Sequence, residues 1–141
     1  MGNMKNENLK QRTKQFALDV VRLVESLPRD RICDVLGRQL LRSGTSVGAN
    51  YRAACRAKSP ADFICKVTNV EEEADESSFW MELLLDLCKV KPASADPLKQ
   101  EADELVAIMV ASAKTARQSS NRATNRLSDT PHSALRTPHS K

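Results

Sequence analysis

Five carboxylates crowd one stretch of the chain, Glu71, Glu72, Glu73, Asp75 and Glu76, and at spacings of one and four residues several of them share a helix face. Such a face can hold Mg²⁺, and the chemistry it would then support is hydrolysis of a phosphate-bearing substrate. Other catalytic arrangements are harder to assemble. The two histidines, His132 and His139, both lie in the last dozen residues. The core is thus left without a histidine general acid or base, a Ser-His or Cys-His nucleophile pair, or the Glu-x-x-His pairs of a di-iron bundle. No Gly-rich phosphate loop is present. Cys33, Cys55, Cys65 and Cys88 are far apart and form no Cys-x-x-Cys pair, which fits reduced, structural thiols in a cytoplasmic protein.

The acidic run is similar to one half of the site of all-α nucleotide pyrophosphatases, whose Glu-Glu-x-x-Glu motif is matched by Glu72, Glu73 and Glu76. Those enzymes add a Glu-x-x-Asp pair on a following helix. Here Asp103 is preceded three residues earlier by Gln100, an amide, and Glu101 with Glu104 is the nearest all-acidic substitute. With half the site missing in its usual form, the run is expected to be a solvated or salt-bridged face. No catalytic residue, metal or cofactor is expected, and the protein is read as a binding module instead of an enzyme.

Positive charge is the remaining lead. The net charge of +4 conceals a division into a basic stretch over 1–58, an acidic one over 59–110 and a basic one over 111–141. Arg42, Arg52 and Arg56 are expected to pair with the glutamates of the acidic stretch. That leaves Lys10, Arg12 and Lys14 near the start, and Lys114, Arg117, Arg122 and Arg126 near the end, as candidate phosphate-binding residues. Aromatic residues are only 4% of the chain, so stacking on unpaired bases is not indicated, and contact with the nucleic-acid backbone fits better. The alternative partner is another protein, with the charge division serving assembly.

Four helical stretches must position these groups. Leu9, Phe16, Val20, Leu23, Val24 and Leu27 recur at three- and four-residue steps and predict a helix over about 8–27, ended by Pro28. From about 30, Leu36, Leu40, Ser43, Val47, Asn50 and Ala54 form a continuous seam, and Gly37, Gly44 and Gly48 along it permit close approach of a neighbour. Ser59-Pro60 with Asp62 is a helix start, and an apolar stripe from Phe63 to Cys88 predicts a third helix stopped by Lys91 and Pro92. Asp96-Pro97 repeats the start signal for a fourth helix, expected to fray near Arg117. With a flexible 1–7 and a disordered basic tail over 118–141, the reading is an all-α, antiparallel up-down-up-down four-helix bundle over 8–117. No apolar run approaches the roughly 20 residues that span a bilayer. Ser43 and Asn50, with Ser46 beside them, sit in the seam and need hydrogen-bond partners that would fix helix register.

Gln39, Leu40, Arg42, Ser43, Ser46, Val47, Ala49 and Asn50, then Ser59, Asp62, Phe63 and Lys66, then Glu73, Ala74, Glu76, Ser77, Trp80 and Leu84, form an extended block. It resembles the bacterial four-helix bundle proteins first noticed as products of intervening sequences inside 23S ribosomal RNA genes. Glu73, Glu76 and Trp80 look like that family's Glu-x-x-Glu and Trp-containing block. The resemblance implies an antiparallel bundle, frequently a ring-shaped homopentamer, with no assigned enzymatic activity. It implies structural or interface roles for Ser43, Ser46, Asn50, Glu73, Glu76 and Trp80. It also implies kinship with the accessory variability proteins of diversity-generating retroelements, basic bundles that bind nucleic acid and a reverse transcriptase. The family often carries Glu shortly after the second-helix Asn, where this chain has Ala53 and Ala54.

Overall fold

A computed structural model describes residues 2–129, with side chains from 4 to 128. Four helices follow one another: α1 (Gly2–Glu25), α2 (Arg31–Ala54), α3 (Pro60–Asp86) and α4 (Pro92–Asp129). Among the described residues there is no strand, and no helix is long and apolar enough to cross a membrane. Consecutive helices pack closely, while α1 and α4 meet more loosely and close the bundle.

The antiparallel register can be read from pairs of contacts. Asp30 and Lys89 pair at one end of α2 and α3 at 3.1 Å, and Ser43 meets Ser77 at 2.8 Å midway. Between α1 and α2, Gly44 lies against Val20 and Gly48 against Thr13, with the Tyr51 hydroxyl donating to Asn6 Oδ1 at 3.4 Å. Ser78 donates to Asp103 across α3 and α4 at 2.9 Å. The core between these seams is aliphatic, with Val20, Leu40, Val47, Val67, Val70, Met81, Leu84, Leu105 and Met109 fully buried.

Helix starts follow the sequence signals in two cases. Asp30 accepts the Cys33 N–H and Ser59 accepts the Asp62 N–H, each satisfying an amide that the first helical turn leaves without a partner. The fourth start differs from expectation. Pro92, expected to be only a stop, is the first residue of α4, a place where its missing N–H costs nothing, and Pro97 lies inside the helix. The carbonyl that Pro97 cannot serve belongs to exposed Ala93 and is open to water. Cys88, expected as the last apolar position of α3, instead leaves the helix at φ 55° and is exposed.

Both ends also depart from expectation. Residues 2–7, expected to be flexible, already belong to α1, and 118–129, expected in a disordered tail, continue α4. Between Pro97 and Pro131 there is neither Gly nor Pro, and Met109, Ala113, Ala116, Ser120, Ala123 and Leu127 prolong the three-four rhythm. Ser, Thr and Asn each cost only about 0.5 kcal/mol in a helix, too little to break it. The rest of the expected tail, 130–141 with His132 and His139, lies outside the described residues.

Asp30 is held below the usual carboxylate range by the Cys33 amide and then by Lys89, and Asp62 by Lys66 and then by the Lys58 amide. A carboxyl depressed in the folded state contributes stability above its unfolded pKa of about 4, and loses it as pH falls through the lower folded value. The thermal midpoint is therefore expected to stay level from pH 7 to about 5 and to fall below about 4. In Asp30→Asn/Asp62→Asn, which keeps both side-chain acceptors but not the charges, the acid decline should be shallower. An unchanged decline would show that these two groups do not govern it.

Candidate nucleic-acid interface

Antiparallel packing brings the start of α1, the end of α2, the start of α3 and the end of α4 to one end of the bundle. The basic residues that the sequence scatters over its two outer thirds meet there. Lys10 and Lys14 from α1 and Arg52 from α2 line an open groove of about 490 Å³, together with Gln11 and Thr45. Arg56 and Lys58 are exposed on the α2–α3 connection, and Lys114, Arg117 and Arg122 are exposed on α4. The acidic residues nearby are occupied. Glu7 pairs with Lys10 at 3.4 Å, and Asp62 pairs with Lys66. From Leu105 to Ser128 α4 carries no acidic residue at all.

Two arginines of the expected set have partners. Arg12, expected among the phosphate-binding residues, donates through Nε and Nη2 to Glu101 at 2.7 Å each and through Nη2 to Glu104 at 2.7 Å. These bonds raise its already high pKa, the Glu101 hydrogen bond most of all. Arg12 thus clasps α1 to α4 where the two helices otherwise touch little, a forked geometry that only guanidinium supplies. Arg126 also has a partner. Of the expected set, Lys10, Lys14, Lys114, Arg117 and Arg122 are the cations that the structure places at the basic end without such a clasp.

The acidic run is placed mid-bundle. Arg42 reaches Glu73 at 3.2 Å and Glu76 at 2.5 Å, as expected for one of the three arginines. Arg52 and Arg56 make no such pair, because the register puts Arg52 opposite the stretch around Val67, short of the first glutamate at 71. Glu73 and Glu76 turn toward α2, whereas Glu101 and Glu104 turn toward α1. The two halves of a hydrolase metal site therefore lie on different sides of the molecule, each neutralised by an arginine. Among the described residues no group of three or more His, Cys, Asp or Glu could hold a metal ion.

In the seam, Ser43 is fully buried, bonds Ser77 Oγ and also donates to the Leu40 carbonyl at 3.2 Å. Asn50, expected to be its counterpart, is only half-buried and makes no side-chain hydrogen bond among the described residues; Tyr51 is the buried residue of that turn. At 100° per residue, position 51 falls nearer than position 50 to the line through Leu40, Val47 and Ala54, so Tyr51 takes the buried place. Ser46 is half-buried. Trp80 is half-buried too, packed edge-on against exposed Phe79 with ring centres 5.1 Å apart, and its indole N–H is buried without an acceptor. Burial pushes the Cys33 and Cys55 thiols upward, away from reactive thiolate.

No curated protein matches the chain. A crystal structure from Bacteroides thetaiotaomicron, a protein of unknown function from the S23 ribosomal protein family, superimposes with a TM-score of 0.71 at 33% identity, covering 75% of this chain and 98% of that one. Residues 5–111 match the 23S rRNA-intervening sequence proteins. With the Ser43 seam and the Glu73, Glu76 and Trp80 block inside that span, which also takes in α2, α3 and most of α1, the chain belongs to the 23S rRNA-intervening sequence protein family.

Proposed function

We propose that this protein is a non-enzymatic, cytoplasmic homo-oligomer that binds RNA or DNA through the basic end of its bundle, on ribosomal RNA or beside a reverse transcriptase. The gathering of Lys10, Lys14, Arg52, Arg56, Lys58, Lys114, Arg117 and Arg122 at one end carries this reading. Phosphate is the ligand that such a surface suits, since each contact releases a condensed counterion. Repetition of the end around an oligomer would multiply weak contacts by local concentration.

Self-association is supported by a second surface. Ile32, Val35, Phe79 and Leu87 are exposed, and the α2–α3 register sets Leu87 level with Ile32, and half-buried Leu83 level with half-buried Leu36. A monomer leaves such a stripe in water at a cost of about 25 cal/mol per Å². If the protein-scaffold alternative were right, this face would be the whole function.

Titration of the full chain with labelled generic RNA and DNA at low salt is expected to give binding in the micromolar range or tighter, and none below high micromolar concentration would remove the nucleic-acid reading. Light scattering is expected to give a multiple of the subunit mass, reduced to the monomer by Phe79→Asp with helical circular dichroism retained. A monomeric parent chain would remove the assembly.

A further inference from the structure

Past Ala116, α4 is a helix with two unlike sides. At 100° per residue, Ala116, Ser120, Ala123 and Leu127 fall on one side, where with Pro60 and Phe63 they line an open depression of about 550 Å³ over the α2–α3 connection. Lys114, Gln118, Asn121, Arg122 and Asn125 fall on the other. All five are exposed and make no side-chain hydrogen bond or ion pair among the described residues.

This composition is unusual for a merely solvated helix face. An exposed helix is ordinarily supported by glutamate–lysine pairs one turn apart, and here acidic residues are missing from Leu105 to Ser128. In their place stand an arginine, two asparagines and a glutamine at one-turn spacings. Those are the side chains whose paired donors and acceptors match base edges: Asn and Gln the N6 and N7 of adenine, Arg the O6 and N7 of guanine. Between Gln118 and Asn125 the remaining side chains, Ser119, Ser120, Ala123 and Thr124, are small, so the backbone there can approach closely.

We infer that this segment of α4 is a recognition helix for double-stranded DNA, lying in the major groove with Gln118, Asn121, Arg122 and Asn125 toward the bases. The inference rests on the nucleic-acid reading above and names its element and its substrate. A helix about 10–12 Å across fits the roughly 12 Å major groove of B-form DNA. Gln118 to Asn125 spans about 10 Å along the axis, or about three base pairs. The deep, narrow major groove of A-form RNA does not admit it. With the helix seated, Arg56 and Lys58 on the neighbouring connection are placed to meet phosphates, which fix position but carry no sequence.

The test is selection by the full chain from a pool of random 20-base-pair DNA duplexes at 150 mM KCl, followed by titration of the enriched duplex, a scrambled duplex and an RNA duplex of the enriched sequence. A short enriched sequence containing adenine or guanine is expected, bound at least roughly tenfold more tightly than either control. In Gln118→Ala/Asn121→Ala/Asn125→Ala that advantage should fall severalfold, with only the Arg122 contact left to read bases, while the salt slope stays, because no charge is removed. Binding without any enriched sequence, equal binding of the RNA duplex, or an undiminished advantage in the triple variant would overturn the recognition helix and leave the broader reading standing. Absence of binding to every nucleic acid at low salt would overturn both.

Discussion

Gly44→Ala is expected to lower the melting temperature by roughly 5 °C, although alanine is the better helix former by about 1 kcal/mol. A Cβ built at Gly44 would stand 2.6 and 2.7 Å from the two methyls of Val20 and 2.9 Å from its Cβ. Rotation of the Val20 side chain can move the methyls but not the Cβ, so α1 and α2 must separate at their crossing. Overpacking of this kind costs about 1–3 kcal/mol, occasionally more, which outweighs the gain in propensity. Val20→Ala supplies the control. That variant removes the two methyls and keeps the Cβ, so in its background the same glycine substitution should cost less without becoming neutral, and the shortfall measured by the double-mutant cycle is the methyl part of the clash. Gly37→Ala sets the contrast, since a Cβ there meets the flexible end of Leu27 at 3.2 Å and should be nearly neutral. A Gly44→Ala protein as stable as the parent would mean that the two helices do not cross at this point.

The second large effect concerns binding. Replacing Lys114, Arg117 and Arg122 together by glutamate is expected to weaken association with nucleic acid by about 100-fold or more near 0.1 M salt. The logarithm of the binding constant falls with the logarithm of salt by about 0.9 for each phosphate neutralised, so loss of three contacts should flatten that dependence by roughly two to three. All three side chains are exposed and have no acidic residue within a turn of them along α4, so the substitution should leave the melting temperature close to that of the parent. Glutamate at Lys10 and Lys14 should act in the same direction through the α1–α2 groove. Arg12 differs. Its loss breaks the clasp to Glu101 and Glu104 and is expected to loosen α1 against α4 before it affects any ligand.

Much of the bundle is legible in the chain because its signals are local. Ser59 caps a helix as its type and position predict, and the apolar rhythm places Phe16, Val20, Leu40, Val67 and Leu84 in the core. Ser43 in a seam of apolar residues predicts a buried hydroxyl needing a partner, but Ser77, 34 residues away, is found only when the helices are assembled. The clasp of Arg12 is less visible still, because its glutamates lie 89 and 92 residues away and nothing near Arg12 distinguishes it from Lys10 or Lys14. The extension of α4 was open to reading and is easily misread. A high content of Ser, Thr and Asn resembles disorder, whereas the absence of Gly and Pro and the continuing rhythm through Ala123 and Leu127 favour a helix. The basic end is a property of topology. Sequence order separates its residues into two blocks with an acidic block between, and only the antiparallel return of each helix brings them together.

Binding of the full chain to a generic nucleic acid, followed across salt concentrations, tests the central claim most directly. The basic end predicts a logarithmic slope of about −4 or steeper on duplex DNA, and a distinctly shallower slope for the Lys114, Arg117 and Arg122 glutamate variant. A slope near zero, or one that the variant leaves unchanged, would contradict it.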